Sequence, residues 1–270
     1  MKIAILSDIH GNRIALESVL NEIEKNKINY IIILGDHITD FPNETKKIIK
    51  IIQSSSNFNI KGNREINLIN DIENRKNYIQ YQPTCLTYNE LSQNEIDYIK
   101  SLLEQISIKF DKNFNIRCVH GSPFSISEQI CENNINRNIE ILEKIQENIL
   151  LCGHTHKQWY KTFNEKIILN PGSVGINFDG SKTAQYGVIE LNQNKIKIEL
   201  KNTFYDFNLL KKTCDLTVHW TRLCISGMED GKDYPNEFIQ EAKNRYNQWP
   251  ISNDSWNELF EEWCKNGIIE

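Results

Sequence analysis

The chain opens on a short β-branched run, Lys2-Ile-Ala-Ile-Leu6, the pattern of a strand buried on both faces. Ile14, Leu16, Val19, Leu20 and Ile23 follow at helical spacing within 12–25, and 30–34 repeats the strand pattern before Gly35 ends it. A helix is predicted over 45–54, a short strand over 58–61 and another helix after Asn63. This rhythm predicts an α/β sheet with helices on its outer face. Ser92 and Glu95 form a capping box, and Leu91 and Ile96 occupy the positions of a hydrophobic staple, so a helix is expected to start there. Strands then dominate to about residue 205, over 116–120, 150–152, Gln158–Phe163, 166–169, 184–191 and Lys195–Phe204, with one helix near 133–146. Ile196-Lys-Ile-Glu-Leu200 alternates apolar and polar residues, so one face of this later sheet meets water or a helix.

The stretch 206–270 reads as helical and holds Trp220, Trp249, Trp256 and Trp263 of the five tryptophans. Trp256, Leu259, Phe260 and Trp263 fall on one helical face, and Ser255 with Glu258 is read as a second capping box. An aromatic face of this kind has two readings: a lid or homo-oligomer surface, or a helical layer packed on the main domain. The second is favoured. The expected division is a main domain at 1–205 and a helical extension at 206–270.

Composition narrows the class. With 270 residues, 39% hydrophobic and 25% charged, the chain has enough apolar surface for a full core. A net charge of −5 argues against a broad electrostatic grip on nucleic acid or on an anionic membrane. The opening strand leaves no room for a signal peptide, and no early apolar run spans a bilayer, so a cytoplasmic protein is expected. The seven cysteines are odd in number, scattered and never spaced C-x-x-C, which fits reduced thiols better than a disulfide framework or a thiolate zinc site.

Candidate chemistry sits on turns that follow apolar strands: Asp8-Ile-His10, Gly35-Asp36, Gly62-Asn63-Arg64-Glu65, His120-Gly121 and Gly153-His154-Thr-His156. A strand fixes position while the turn after it frees the side chain, so an α/β sheet presents its site at such ends. Asp8 and His10 can chelate one ion from the same side, and His154 and His156 can do likewise or split between two. Asp36 can bridge two cations through its carboxylate, and Asn63 offers a neutral oxygen. Singly these are weak signals, since an Asp after a strand is usually a helix cap and a lone His is usually a hydrogen-bonded core residue. Together the carboxylate, amide and imidazole donors, without thiolate, suit Mn, Fe, Zn, Ni or Mg-like ions.

The ordered set D-x-H, GD, GNR-E, HGSP and GHTH, followed by Asn170-Pro-Gly-Ser-Val-Gly175, resembles the calcineurin-like metallophosphoesterase superfamily over about residues 1–205. The HGSP and NPGSVG wording is most similar to small bacterial and archaeal predicted phosphoesterases. The resemblance implies a four-layer α/β/β/α sandwich of two mixed sheets, here with the C-terminal helical extension. It implies Asp8, His10 and His156 on a first metal, Asn63, His120 and His154 on a second, and Asp36 bridging, with manganese the favoured ion. It implies phosphodiesterase or phosphatase activity on a small phosphoester through a hydroxide between the ions, Asp36 and His120 taking part in the catalytic centre.

One position departs from the pattern. Many relatives carry His where this chain has Arg64, and a guanidinium cannot serve as a general acid but can grip phosphate with its fork. Arg64 is therefore expected to stabilise charge, the other reading being a surface salt bridge to Glu65 or a neighbour. His37 is expected to line the substrate pocket beside Arg64, although a solvated turn explains it nearly as well. Phosphoprotein phosphatase action and a non-catalytic scaffold of the same fold are the alternatives. A nuclease is disfavoured because no basic, aromatic-interleaved stretch is present.

Overall fold

The computed structural model describes residues 1–70, 72–110, 114–192 and 195–270. In chain order the strands are β1 (Lys2–Leu6), β2 (Tyr30–Ile33), β3 (Phe58–Asn59), β4 (Gln105–Lys109), β5 (Asn115–Val119), β6 (Ile149–Leu151), β7 (Gln158–Phe163), β8 (Lys166–Pro171), β9 (Thr183–Asn192) and β10 (Lys195–Phe204). They form two mixed sheets, ordered β10-β9-β1-β2-β3 and β4-β5-β6-β8-β7. In the first, β1, β2 and β3 are parallel while β9 runs antiparallel to β1; in the second, β5, β6 and β8 are parallel.

Alternation along the strands builds the layers. In β1, Ile3 and Ile5 turn inward with Ile32 and Leu34 to meet Ile116, Cys118, Ile149, Leu151 and Leu169 of the second sheet. Ala4 and Leu6 face the other way, with Ile31 and Ile33, onto Leu16 and Val19 of α1 (Arg13–Lys25) and Ile48 and Ile52 of α2 (Thr45–Ser55). Val119, Leu150 and Ile168 cover the outer face of the second sheet against Ile141 and Leu142, which lie on the helix Ile135–Glu143. The order is helix, sheet, sheet, helix, as the sequence resemblance implied.

Beyond β10 the chain is helical. We label its last three helices, in chain order after α1 and α2, α3 (His219–Asp230), α4 (Tyr234–Tyr246) and α5 (Asn253–Lys265). Trp256, Leu259, Phe260 and Trp263 pack with Leu223, Phe238 and Ile251, and the same apolar cluster takes in Phe41 and Ile176 from the site loops. The aromatic face is thus filled from within the chain. His219 stacks on Phe260 at 3.7 Å between ring centroids, and its Nδ1 accepts from Trp256 Nε1 at 3.1 Å.

Two local expectations need correction. The cap of α5 is Ser252, whose side chain accepts from Ser255 N, so Ser255 and Glu258 lie inside the helix and form no capping box. Asn253 and Asp254 favour an earlier start and bring the first turn forward. Strand β4 is an addition: only Ile108 of Gln105-Ile-Ser-Ile-Lys109 is buried, which leaves a weak apolar signal at a sheet edge. Among the described residues, no helix is long and apolar enough to cross a membrane, and all seven cysteines are free.

Candidate metal centre

The loops that follow β1, β2, β5 and β6 are braced to one another. Asp8 N donates to Gly35 O and His10 N to Asp36 O, which ties the first two loops, while Gly153 N donates to His120 O and ties the other two. Asp8 Oδ2 accepts from His154 N at 3.0 Å and so joins the two sheets. Asp8, His10, Asp36, His154 and His156 all have φ between +52° and +67°. That left-handed backbone is uncommon for residues with a Cβ, and its concentration at one spot marks a site held by its surroundings. Close approach also dictates two glycines: a Cβ at Gly62 would overlap Asp36 Oδ1, and one at Gly153 would overlap Ser7 Oγ.

Two trios of donor atoms result, Asp8–His10–His156 and Asp36–His120–His154, each with its atoms within 4.8 Å of one another. Asp36 Oδ2 stands 3.4 Å from His120 Nε2 and 3.9 Å from His10 Nε2, so one carboxylate oxygen faces an imidazole of either trio. Asn63 Oδ1 lies 2.9 Å from His120 Nε2. All seven expected ligands therefore converge.

The far side of three of the four imidazoles is occupied. His120 Nδ1 donates to Leu34 O at 2.8 Å and His156 Nδ1 to Ile176 O at 2.7 Å, and a carbonyl can only accept. His10 Nδ1 lies 2.7 Å from Asp40 Oδ2. His10, His120 and His156 are thereby oriented with Nε2 toward the centre, the arrangement typical of metal-binding histidines. Asp8 Oδ1, fully buried, has no hydrogen-bond partner among the described residues and faces His156 Nε2 at 3.3 Å and His10 Nε2 at 3.5 Å. A buried, orphaned carboxylate oxygen among converging imidazoles fits a cation between them.

Without an ion the cluster leans on protons. Burial disfavours charge on His10, but Asp40, Asp8 and Asp36 outweigh it and raise its pKa to about 10. Burial likewise opposes charge on His120, and Asp36 chiefly raises it to about 9. His154, desolvated and beside His120, falls to about 4. Burial would raise Asp36, yet His120 and His10 hold it at about 2.

Supporting residues surround this centre. Glu65, completely buried, accepts backbone N–H groups of Asp36, His37 and Gly62 at 2.9, 2.9 and 2.7 Å, so it is anchored by peptide donors and shapes both loops. Asn170 Nδ2 donates to Gly153 O and Thr155 Oγ1, and Ser173 Oγ to Asp8 O, which explains the Asn-Pro-Gly-Ser turn. Arg64 pairs with Asp40 at 2.9 Å, not with Glu65, and its guanidinium sits 5.5 Å over the Trp220 ring. Trp220 Nε1 also donates to Asp40 Oδ1, and Thr221 Oγ1 to Asp40 O. His37 stands apart: it is buried, its Nδ1 lies 3.3 Å from Glu65 Oε1, and it does not border the cleft. Burial against Glu65 replaces the expected place in the pocket wall. The cleft beside the imidazoles, about 810 Å³ including its open mouth, is bordered by His10, Asp40, Arg64, His154, His156 and Phe178 and closed by Trp220, Pro235 and Ile239 from the helical region.

Residues 1–194 match the family model described as the calcineurin-like phosphoesterase superfamily domain. The chain belongs to that superfamily. Its fold is similar to a metallophosphoesterase from Sphaerobacter thermophilus (TM-score 0.68, 21% identity, 86% of this chain and 100% of that one). It is also similar to a hypothetical protein from Pyrococcus horikoshii (TM-score 0.72, 22% identity, 86% and 99%). An uncharacterized protein of Methanocaldococcus jannaschii is 24% identical over 235 residues, spanning 76% of this chain and 88% of the relative. Membership supports metal-dependent phosphoester hydrolysis in general terms, and the two Asp and His groups of this chain could hold divalent ions.

Proposed function

We propose that this protein is a dinuclear-metal phosphodiesterase or phosphatase acting on small phosphoesters. The reading rests on one observation: Asp36 Oδ2 lies between His10 Nε2 and His120 Nε2, which belong to different donor trios. Asp8, His10 and His156 would hold one ion, Asn63, His120 and His154 the other, and Asp36 both. Such a pair, manganese being favoured, supplies Lewis acidity and a water-derived nucleophile near neutral pH.

The chain's own residues do the rest. Leu34 O, Ile176 O and Asp40 fix the imidazole orientations, so little reorganisation is needed when a substrate arrives. Arg64, bordering the cleft with one nitrogen on Asp40, has further N–H donors for a phosphate oxygen. Because a guanidinium keeps its proton, Arg64 stabilises charge and leaves the departing alkoxide or phenolate unprotonated. Hydrolysis of bis- and mono-nitrophenyl phosphate with added Mn tests the reading; chelator-sensitive turnover of either ester is expected, and no turnover of either contradicts it.

A further inference from the structure

Arg64 is anchored at one end by the metal centre and at the other by the helical region. Its backbone N–H donates to Asp36 Oδ1 at 2.8 Å, while the guanidinium reaches back to Asp40, with Nη2 2.9 Å from Oδ1. Helix α3 meets it there. Trp220 Nε1 donates to the same Asp40 Oδ1, Thr221 Oγ1 donates to Asp40 O at 2.8 Å, and the Trp220 ring centroid lies 5.5 Å from the guanidinium carbon. Asp40 is 1% exposed and Trp220 8%, whereas the Arg64 side chain keeps 27% of its surface at the border of the cleft. The other matched indoles of this region differ: Trp256 Nε1 donates to His219 and Trp263 Nε1 to Glu241, both within the helical layer. Trp220 spends its N–H on a site loop instead.

A free arginine side chain carries about 2 kcal/mol of rotamer entropy, and a donor stabilises developing charge best when it is in place beforehand. The indole meets both demands. Its face sets the plane of the guanidinium, within the range of a cation–π contact. Its N–H fixes the carboxylate oxygen that takes one guanidinium nitrogen, which leaves the remaining N–H groups for the cleft. Resting on the phosphoesterase reading above, we propose that Trp220 is a positioning residue for the reaction: through its ring and through Asp40 it aims the Arg64 fork at the substrate phosphate. Trp220 lies beyond residues 1–194, which match the family model, and Arg64 lies within them. The helical region thus completes the active site of the domain on which it packs.

A double-mutant cycle at saturating Mn tests this with a nitrophenyl ester. Trp220→Leu removes both ring and N–H and is expected to lower kcat about tenfold or more; Trp220→Phe keeps a ring and falls between Trp220→Leu and wild type. In the Arg64→Ala background each change should cost less than about twofold, because the group it aims is gone. Equal fold-losses in both backgrounds, or no loss in the wild-type background, overturn the proposal. A second readout follows the guanidinium without turnover. Phenylglyoxal modification of Arg64 in the full chain, mapped by peptide mass spectrometry, should be several-fold faster in Trp220→Phe than in wild type, with Arg137, paired with Glu128, unchanged. An unchanged Arg64 rate, or one that rises equally at Arg137, overturns the proposal. Failure of the wild type to cleave any nitrophenyl ester overturns the hydrolase reading instead, and the modification rate then still decides whether Trp220 holds Arg64.

Discussion

His10 and Asp40 are joined at 2.7 Å between Nδ1 and Oδ2, and the other oxygen of Asp40 accepts from Arg64 and from Trp220 of helix α3. One buried carboxylate therefore links an expected metal ligand, the phosphate-binding candidate and the C-terminal helices. Burial by itself would raise the Asp40 pKa, but Arg64 and His10 hold it far below the ordinary carboxylate range.

Asp40→Asn keeps the shape and removes the charge, so the side chain can no longer satisfy His10, Arg64 and Trp220 together. Metal affinity or turnover is expected to fall about 10–100-fold, as for other partners of ligating histidines. Titration with Mn alongside nitrophenyl ester hydrolysis checks this; an unchanged binding curve would show that Asp40 does not position His10.

Arg64→Ala is expected to lower kcat about 100-fold or more, the scale of a lost donor to developing phosphate charge. Arg64→Lys recovers little, because an ammonium cannot hold Asp40 and present a fork to phosphate at once, and the contact with Trp220 is lost with the guanidinium. In the wild-type enzyme, nitrophenolate esters should react far faster than alkyl esters. A flat dependence on leaving-group pKa, with chemistry rate-limiting, would mean that a proton donor has been overlooked.

Protons and ions compete at this centre. His10 at about 10 and His120 at about 9 are protonated in the metal-free protein near neutral pH, whereas His154 at about 4 is not. Loading at about pH 8 should therefore release about two protons per chain, and affinity should rise with pH. The linked stability has a definite sign. Raised histidines stabilise the metal-free fold fully below about pH 6.5 and lose that contribution as pH climbs through 9 to 10. Calorimetry in buffers of different ionisation heat measures the protons, and zero release would contradict the protonated cluster.

Trp256 is completely shielded and packs against Phe238, with ring centroids 4.7 Å apart. Trp256→Ala should cost about 3–5 kcal/mol of folding stability, the usual range for an emptied aromatic site. Because that apolar cluster includes Phe41 and Ile176, and Ile176 O orients His156, weaker metal binding should accompany the lower Tm. Thermal melts with and without Mn separate the two effects.

The strand-end turns were legible because ligand chemistry and backbone demand coincide there: Asp8, His10, Asp36 and the Gly153-His-Thr-His loop announce themselves as short polar punctuation after apolar strands. The residues behind them were not. Glu65 was visible in the third block, but nothing in its spacing says that it would gather three backbone donors from two loops. Asp40 belongs to none of the strand-end motifs, and its main partners come from positions 10, 64 and 220. His37 misled because position on the loop does not fix which way a ring turns; only packing against Glu65 decides that. Trp220 read as one more aromatic, since its indole N–H is matched only once the helical region folds back over the loops.

The account stands on Asp36 being shared. Metal content and affinity of the full chain, measured by elemental analysis and Mn calorimetry for wild type and Asp36→Asn, test it most directly. We predict two ions per wild-type chain and weakened binding of both in Asp36→Asn. Fewer than two ions in the wild type, or two ions bound with unaltered affinity by Asp36→Asn, would contradict it.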